Sequence, residues 1–207
     1  MELPLSPHPP LRSVGIFSAR ALGLALVTGV ASAHPGHEVS SNMFLSGLIH
    51  PLTGFDHLFA MLAVGLWSAL AHKNLRQAAW TPISFLCLLL AGSLMGIAGL
   101  RLPAVEPIIT ASLLVLGLLV ASRLSLPTWA GAALVGFFAV FHGMAHGSEL
   151  PENGSALAFV AGFMLTTFSL HVAGLAAGFS LKQHNVWLTR LAGGAIALYG
   201  VSLASAL

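Results

Sequence analysis

Charge is what this chain has least of: 7% of its 207 residues are Asp, Glu, Lys or Arg, against about a quarter in soluble globular domains. With 57% hydrophobic residues and a mean hydropathy of +0.90, that scarcity excludes a soluble domain and points to an integral membrane protein. The net charge is only +2, and Arg12 and Arg20 fall in an N-terminal leader, so no basic patch is left for nucleic acid. Cysteine is nearly absent as well. The single Cys87, midway along an apolar segment, supplies neither a disulfide framework nor a thiolate metal cluster and is expected to pack. There is no GxxxxGK[ST] phosphate loop, which removes ATP hydrolysis by that route. Internal repeats, low-complexity tracts and a second domain are missing too.

What is present is apolar sequence, cut at regular intervals. Residues 1–33 read as a signal peptide: a leader with Arg12 and Arg20, an apolar run from Ala21 to Val30 too short to span, and Ala31-Ser32-Ala33 as the cleavage site. Residues 34–42 form a periplasmic N-terminal segment, and residues 43–207 an all-α bundle of six transmembrane helices, expected over 43–71, 78–100, 104–122, 127–147, 155–180 and 186–206. Pro82, Pro107 and Pro127 are assigned to opening turns, where a missing N–H is harmless. With the mature N-terminus outside, Lys73, Arg76, Arg123, Lys182 and Arg190 lie on or near the inner side and only Arg101 on the outer. The positive-inside rule is obeyed, and Trp67, Trp80, Trp129 and Trp187 fall near inner helix ends as an aromatic belt would. Both termini are then periplasmic, in a bacterial inner membrane. Gly92 with Gly96, Gly174 with Gly178, and Gly193 with Gly194 offer small surfaces for close helix packing.

The few ionisable residues are concentrated. His50, Asp56 and His57 lie in the first span, His142, His146 and Glu149 at the outer end of the fourth, and an ionisable group in hydrocarbon costs about 2.5–3.5 kcal/mol on insertion scales. His142, His146 and Glu149 occupy i, i+4 and i+7, one helical stripe, the geometry by which two imidazoles share one ion. His50 and His57 would be roughly 10 Å apart along a straight helix, too far for a single ion. A break at 50–54 is therefore expected, with Pro51 removing a backbone bond and Gly54 removing steric cover; otherwise the two histidines serve different stations of a path. Glu106 opens the third span on the same outer side, as a ligand or as a first-turn carboxylate suited to the helix dipole. His171, deep in the fifth span, is a late ligand or a packed histidine. His34 and His37 could collect metal outside, while His72 and His184 are expected to be solvated in inner loops.

At these residues the chain resembles the HupE/UreJ family of nickel and cobalt permeases, membrane proteins associated with hydrogenase and urease systems. The block H-P-x-x-G-x-D-H is complete as His50, Pro51, Gly54, Asp56 and His57; the block H-G-x-A-H-G-x-E is complete as His142, Gly143, Ala145, His146, Gly147 and Glu149. The His34-Pro35-Gly36-His37 start and Glu106 also look like family features, and the resemblance extends over residues 34–207. It implies uptake of Ni²⁺ or Co²⁺ through a six-helix protein, with no prosthetic group, in membrane lipid, and with a metalloenzyme maturation system downstream.

Imidazole and carboxylate ligands suit Ni²⁺, Co²⁺ or Zn²⁺, and the Irving–Williams order prevents ligand type from choosing among them. The expected function is secondary transport and not catalysis: His34 and His37 collect the ion, His146 and Glu149 admit it, His50, Asp56, His57 and His142 hold it, and His171 lies on the way inward. The alternative is an intramembrane zinc-dependent hydrolase using the same His/Asp cluster. A hydrolase needs one tight site; ligands spread from His34 to Asp56 favour transport.

Overall fold

The computed structural model describes residues 42–148, 150, 155–184 and 186–207. The expected signal peptide, most of the segment 34–42 with His34 and His37, and Glu149 lie outside the described residues. Seven helices and no strands are found among those described: α1 Met43–Thr53, α2 Phe55–Ala71, α3 Leu75–Ile97, α4 Val105–Ser122, α5 Thr128–Ser148, α6 Ala156–Lys182 and α7 Val186–Ala204. Asn42, Asn74 and Ser155 start α1, α3 and α6, each side chain accepting an N–H three residues on, from Leu45, Gln77 and Ala158.

Helices α3 to α7 are each long and apolar enough to cross a bilayer. The segment expected as a first span, with a break at 50–54, is two helices, α1 and α2, bent by 79°. The pair completes a sixth crossing only if its two arms together make one span. The break falls at Gly54, three residues after the helix-interior Pro51, within the stretch where the sequence requires one.

Pro82 departs from expectation. Helix α3 begins at Leu75, so Pro82 sits in its interior and not in its opening turn. Its missing N–H would have bonded to the carbonyl of Ala78. Ser68 of α2 takes that place, its Oγ donating to Ala78 O at 2.6 Å, and the buried carbonyl stays satisfied.

Helix α2 is the centre of the molecule, buried on almost every side from Ala60 to Leu70, as a helix that is apolar all round must be. It packs on α6, which also carries α1, while α3 pairs with α5 and α4 with α7. Small residues set these approaches, since lipid supplies no hydrophobic drive between helices: Gly65 meets the backbone of α6, Gly92 and Gly96 that of α5, and Gly193 that of α4. Gly194, read as part of the same surface, faces open space. Trp80, Trp129 and Trp187 are exposed as a belt requires, but Trp67 is fully buried, its Nε1–H donating to Leu124 O at 2.8 Å. Cys87 is exposed on the outside of α3 and does not pack. Two basic residues at helix ends cap neighbouring helices: Lys182 Nζ donates to the carbonyls of Ala69 and His72, and Arg123 Nη2 to that of Lys182.

Candidate metal centre

The break at Gly54 decides what the first motif can do. Across the bend the rings of His50 and His57 come to 6.0 Å between centroids, whereas a straight helix would hold them roughly 10 Å apart along its axis. Gly54 has φ −94° and ψ 113°, open to any residue, so its value is space. A Cβ there would stand 2.8 Å from Asp56 Oδ1 and 3.1 Å from His57 Nδ1. Those two atoms are themselves 2.9 Å apart, with His57 Nδ1–H donating to the carboxylate. Asp56, expected as a ligand, accepts this hydrogen bond and so stands beside the His57 ring.

The second motif lies on a helix pressed against its neighbour. A Cβ on Gly143 or Gly147 would fall 2.1 Å from Leu89 O or Ser93 O respectively, so α5 can approach α3 only because both residues are glycine. Each follows a histidine directly, and a step of about 100° round the helix puts His142 and His146 on the adjacent face. The histidines of the two motifs meet there. The His146 ring is 4.5 Å from that of His50 and 4.4 Å from that of His57, and the His142 ring is 5.2 Å from that of His57. His50 Nε2 and His146 Nδ1 are 3.0 Å apart, one donating to the other. Phe159 and Phe163 of α6 wall the cluster beside His50 and His146.

An imidazole that gives away one N–H keeps a lone pair on its other nitrogen. His57 gives Nδ1–H to Asp56, and its Nε2 is buried with no hydrogen-bond partner in the protein. His171 gives Nδ1–H to Met61 O at 2.8 Å, and its Nε2 is likewise buried and unpartnered. His142 has Nε2 at 3.0 Å from Ser112 Oγ and an unpartnered, buried Nδ1. Buried polar atoms nearly always find partners; His57, His142 and His171 each keep a buried nitrogen without one, as does His72 at the other end of α2, and imidazole nitrogens of this kind are ligands that suit a borderline divalent cation. The ring of Phe85 touches both His142, at 6.0 Å, and His171, at 5.0 Å, and so lies between the cluster and the deeper histidine. Among the described residues no group of three or more His, Cys, Asp or Glu is arranged so that it could hold a metal ion.

Glu106 is not part of this cluster. It is exposed in the first turn of α4, lining a recess of about 330 Å³ with Arg101, Leu102, Met144 and Ser148. His72, expected to be solvated, is buried, its Nδ1–H donating to Ser68 O; His184 is exposed. Sequence reading named Gly143 and Gly147 as motif residues but missed their packing role, and it missed Ser112 altogether. The two glycines have the four-residue spacing of Gly92 with Gly96 and could have been assigned to packing by it. Ser112 carries no such signal, being one serine in an apolar helix.

An all-helical, polytopic membrane protein with a buried imidazole cluster drawn from two motifs is the class that fold and site define. The sequence matches the HupE / UreJ protein family over residues 22–203. It is 40% identical over 185 residues to Protein HupE of Rhizobium leguminosarum bv. viciae, a match covering 88% of this chain and 94% of that one. The chain belongs to the HupE/UreJ family, as its two motifs implied. No solved structure matches it.

Proposed function

We propose that the chain is a secondary transporter that takes up a divalent transition-metal cation, Ni²⁺ or Co²⁺, through the imidazole cluster. The observation that carries this reading is the meeting of both motifs at buried imidazole nitrogens with no partner in the protein. The ion is the cargo; no prosthetic group is required. His34 and His37 collect it at the outer surface, His146 and Glu149 admit it, with Glu106 at the neighbouring outer recess, and His50, His57 and His142 hold it with Asp56 fixing His57. His171 receives it beyond Phe85. Passage asks for moderate binding, because a site that encloses its ion completely also traps it, and imidazoles at several depths meet that demand better than the single tight site of a metal-dependent hydrolase.

In this reading α1 and α2 together make the first of six spans, cleavage after Ala33 leaves His34 outside, and both mature termini are periplasmic in the inner membrane. A dication moving down about 100 mV gains roughly 4.6 kcal/mol, an accumulation on the order of 10³, so the membrane potential alone can drive uptake for a hydrogenase or urease maturation system. Purified protein in liposomes, offered Ni²⁺, Co²⁺ and Zn²⁺ under imposed voltage and pH gradients, should accumulate Ni²⁺ or Co²⁺ when the interior is negative. Failure to move any of the three, together with metal-dependent hydrolysis of a lipid amide, would replace transport with the hydrolase reading.

A further inference from the structure

We propose that Ser112, on α4 and outside both motifs, is a positioning residue that fixes His142 in the tautomer leaving a lone pair on Nδ1. The argument is one of proton counting. A serine hydroxyl has a single hydrogen to give. Ser112 Oγ stands 2.6 Å from Ile109 O and 3.0 Å from His142 Nε2. The carbonyl can only accept, and it is the nearer group, so it takes the hydroxyl proton; the serine oxygen then accepts Nε2–H from His142. The lone pair is left on Nδ1, the nitrogen turned away from Ser112, which is buried and has no partner in the protein. The opposite assignment, Ser112 donating to Nε2, would leave an N–H at Nδ1: a buried donor with no acceptor. Ser112 and His142 are both 0% exposed and Ile109 2%, so solvent does not compete for either bond.

The same device serves the other two imidazoles. Asp56 takes the N–H of His57 and the carbonyl of Met61 that of His171. Ser112 extends the pattern to His142, whose Nε2 has the serine hydroxyl as its neighbour. Acceptors of this kind fix ring orientation and tautomer in ligating histidines, and losing one lowers metal affinity by about 10–100-fold. Ser112→Ala should therefore weaken cation binding within that range, while Ser112→Thr, which keeps the hydroxyl, should hold close to the native affinity.

The affinity part rests on the transport reading; the tautomer part does not, and the experiment separates them. The full chain, purified in lipid nanodiscs with ¹⁵N-labelled histidine, should show His142 protonated at Nε2 before any metal is added, its signal identified by its disappearance in His142→Gln. Ser112→Ala should change that signal and Ser112→Thr should retain it. Calorimetric titration with Ni²⁺ then compares the three proteins. His142 protonated at Nδ1 in the native chain would overturn the proposal, as would native Ni²⁺ affinity in Ser112→Ala. Should the native chain bind neither Ni²⁺ nor Co²⁺, transport falls, and the tautomer spectrum of the native and Ser112→Ala chains alone decides the role of Ser112. If Ser112→Thr does not fold, the same two spectra remain decisive.

Discussion

At the scale of single residues, the cluster separates groups that hold a cation from groups that arrange its holders. His50→Ala, Asp56→Ala and His142→Ala should each abolish uptake at any metal concentration, while His34→Ala or His37→Ala should weaken it mainly when metal is scarce. Equal and complete loss from all five, at normal expression, would remove the staged path. Gly54→Ala tests the arrangement without touching a ligand. Its added methyl would stand 2.8 Å from the Asp56 carboxylate, and disturbing that acceptor should lower metal affinity by about 10–100-fold with the helical content of the protein unchanged. Circular dichroism with metal titration checks both halves; undiminished affinity would show that the Asp56–His57 contact does not orient the ring.

At the scale of helices, two contacts make opposite demands on small residues. Gly147→Ala drives a methyl to 2.1 Å from Ser93 O, backbone that can yield only if α3 and α5 separate, and overpacking of this sort costs about 1–3 kcal/mol. Gly194, in the interior of α7 with open space around it, should respond with the other sign. Ala there removes unfolded-state freedom and should stabilise by about 0.4–1 kcal/mol. Thermal unfolding in a single detergent compares them, and a stable Gly147→Ala protein would mean that this helix pair is not held at its closest approach. The Ser68–Pro82 relation gives a sharper test. Ser68→Ala strands the Ala78 carbonyl and should cost about 1–3 kcal/mol. In a Pro82→Ala background the helix regains its own donor to that carbonyl, so the same substitution should cost much less. Additive losses in that double-mutant cycle would show that the serine does not replace the missing N–H.

At the scale of the whole molecule, orientation decides which way the cluster opens. Cysteine labelling in a Cys87→Ala background, a change expected to matter little because Cys87 is exposed on the outside of the bundle, should place positions 151 and 205 on the same, periplasmic face. Residue 151 on the cytoplasmic side would reverse the path. The helix caps made by Lys182 and Arg123 add a structural use to two of the charges on which this orientation rests: each basic side chain meets helix C-terminal carbonyls, where a cation is favoured by the dipole. Charge placed for topology is therefore also charge placed for packing.

The class of the molecule was legible in composition, because so apolar a chain has no aqueous fold open to it, and the positions of α3 to α7 followed from apolar runs of bilayer length to within a few residues. The histidine motifs were legible because ionisable groups stand out in such runs. The helix break near Gly54 was legible from Pro51 and from the distance a straight helix would impose. Other features were not. The partner of Pro82 is a serine distant in sequence, Trp67 is in the core and not at the interface, and His72 is buried among neighbours from α2 and α6, because helix periodicity says which residues share a face but not which helix lies opposite. Sequence alone determined that His142 and His146 share one stripe of α5 and that the chain belongs in a membrane. The motifs also led to the expectation that His50, His57 and His142 come together; only the tertiary structure decided that His146 stands beside both His50 and His57, and that Ser112 and the Met61 carbonyl stand beside His142 and His171. Such contacts depend on how closely glycine-lined helices approach one another, a property of pairs of surfaces that no single stretch of sequence contains.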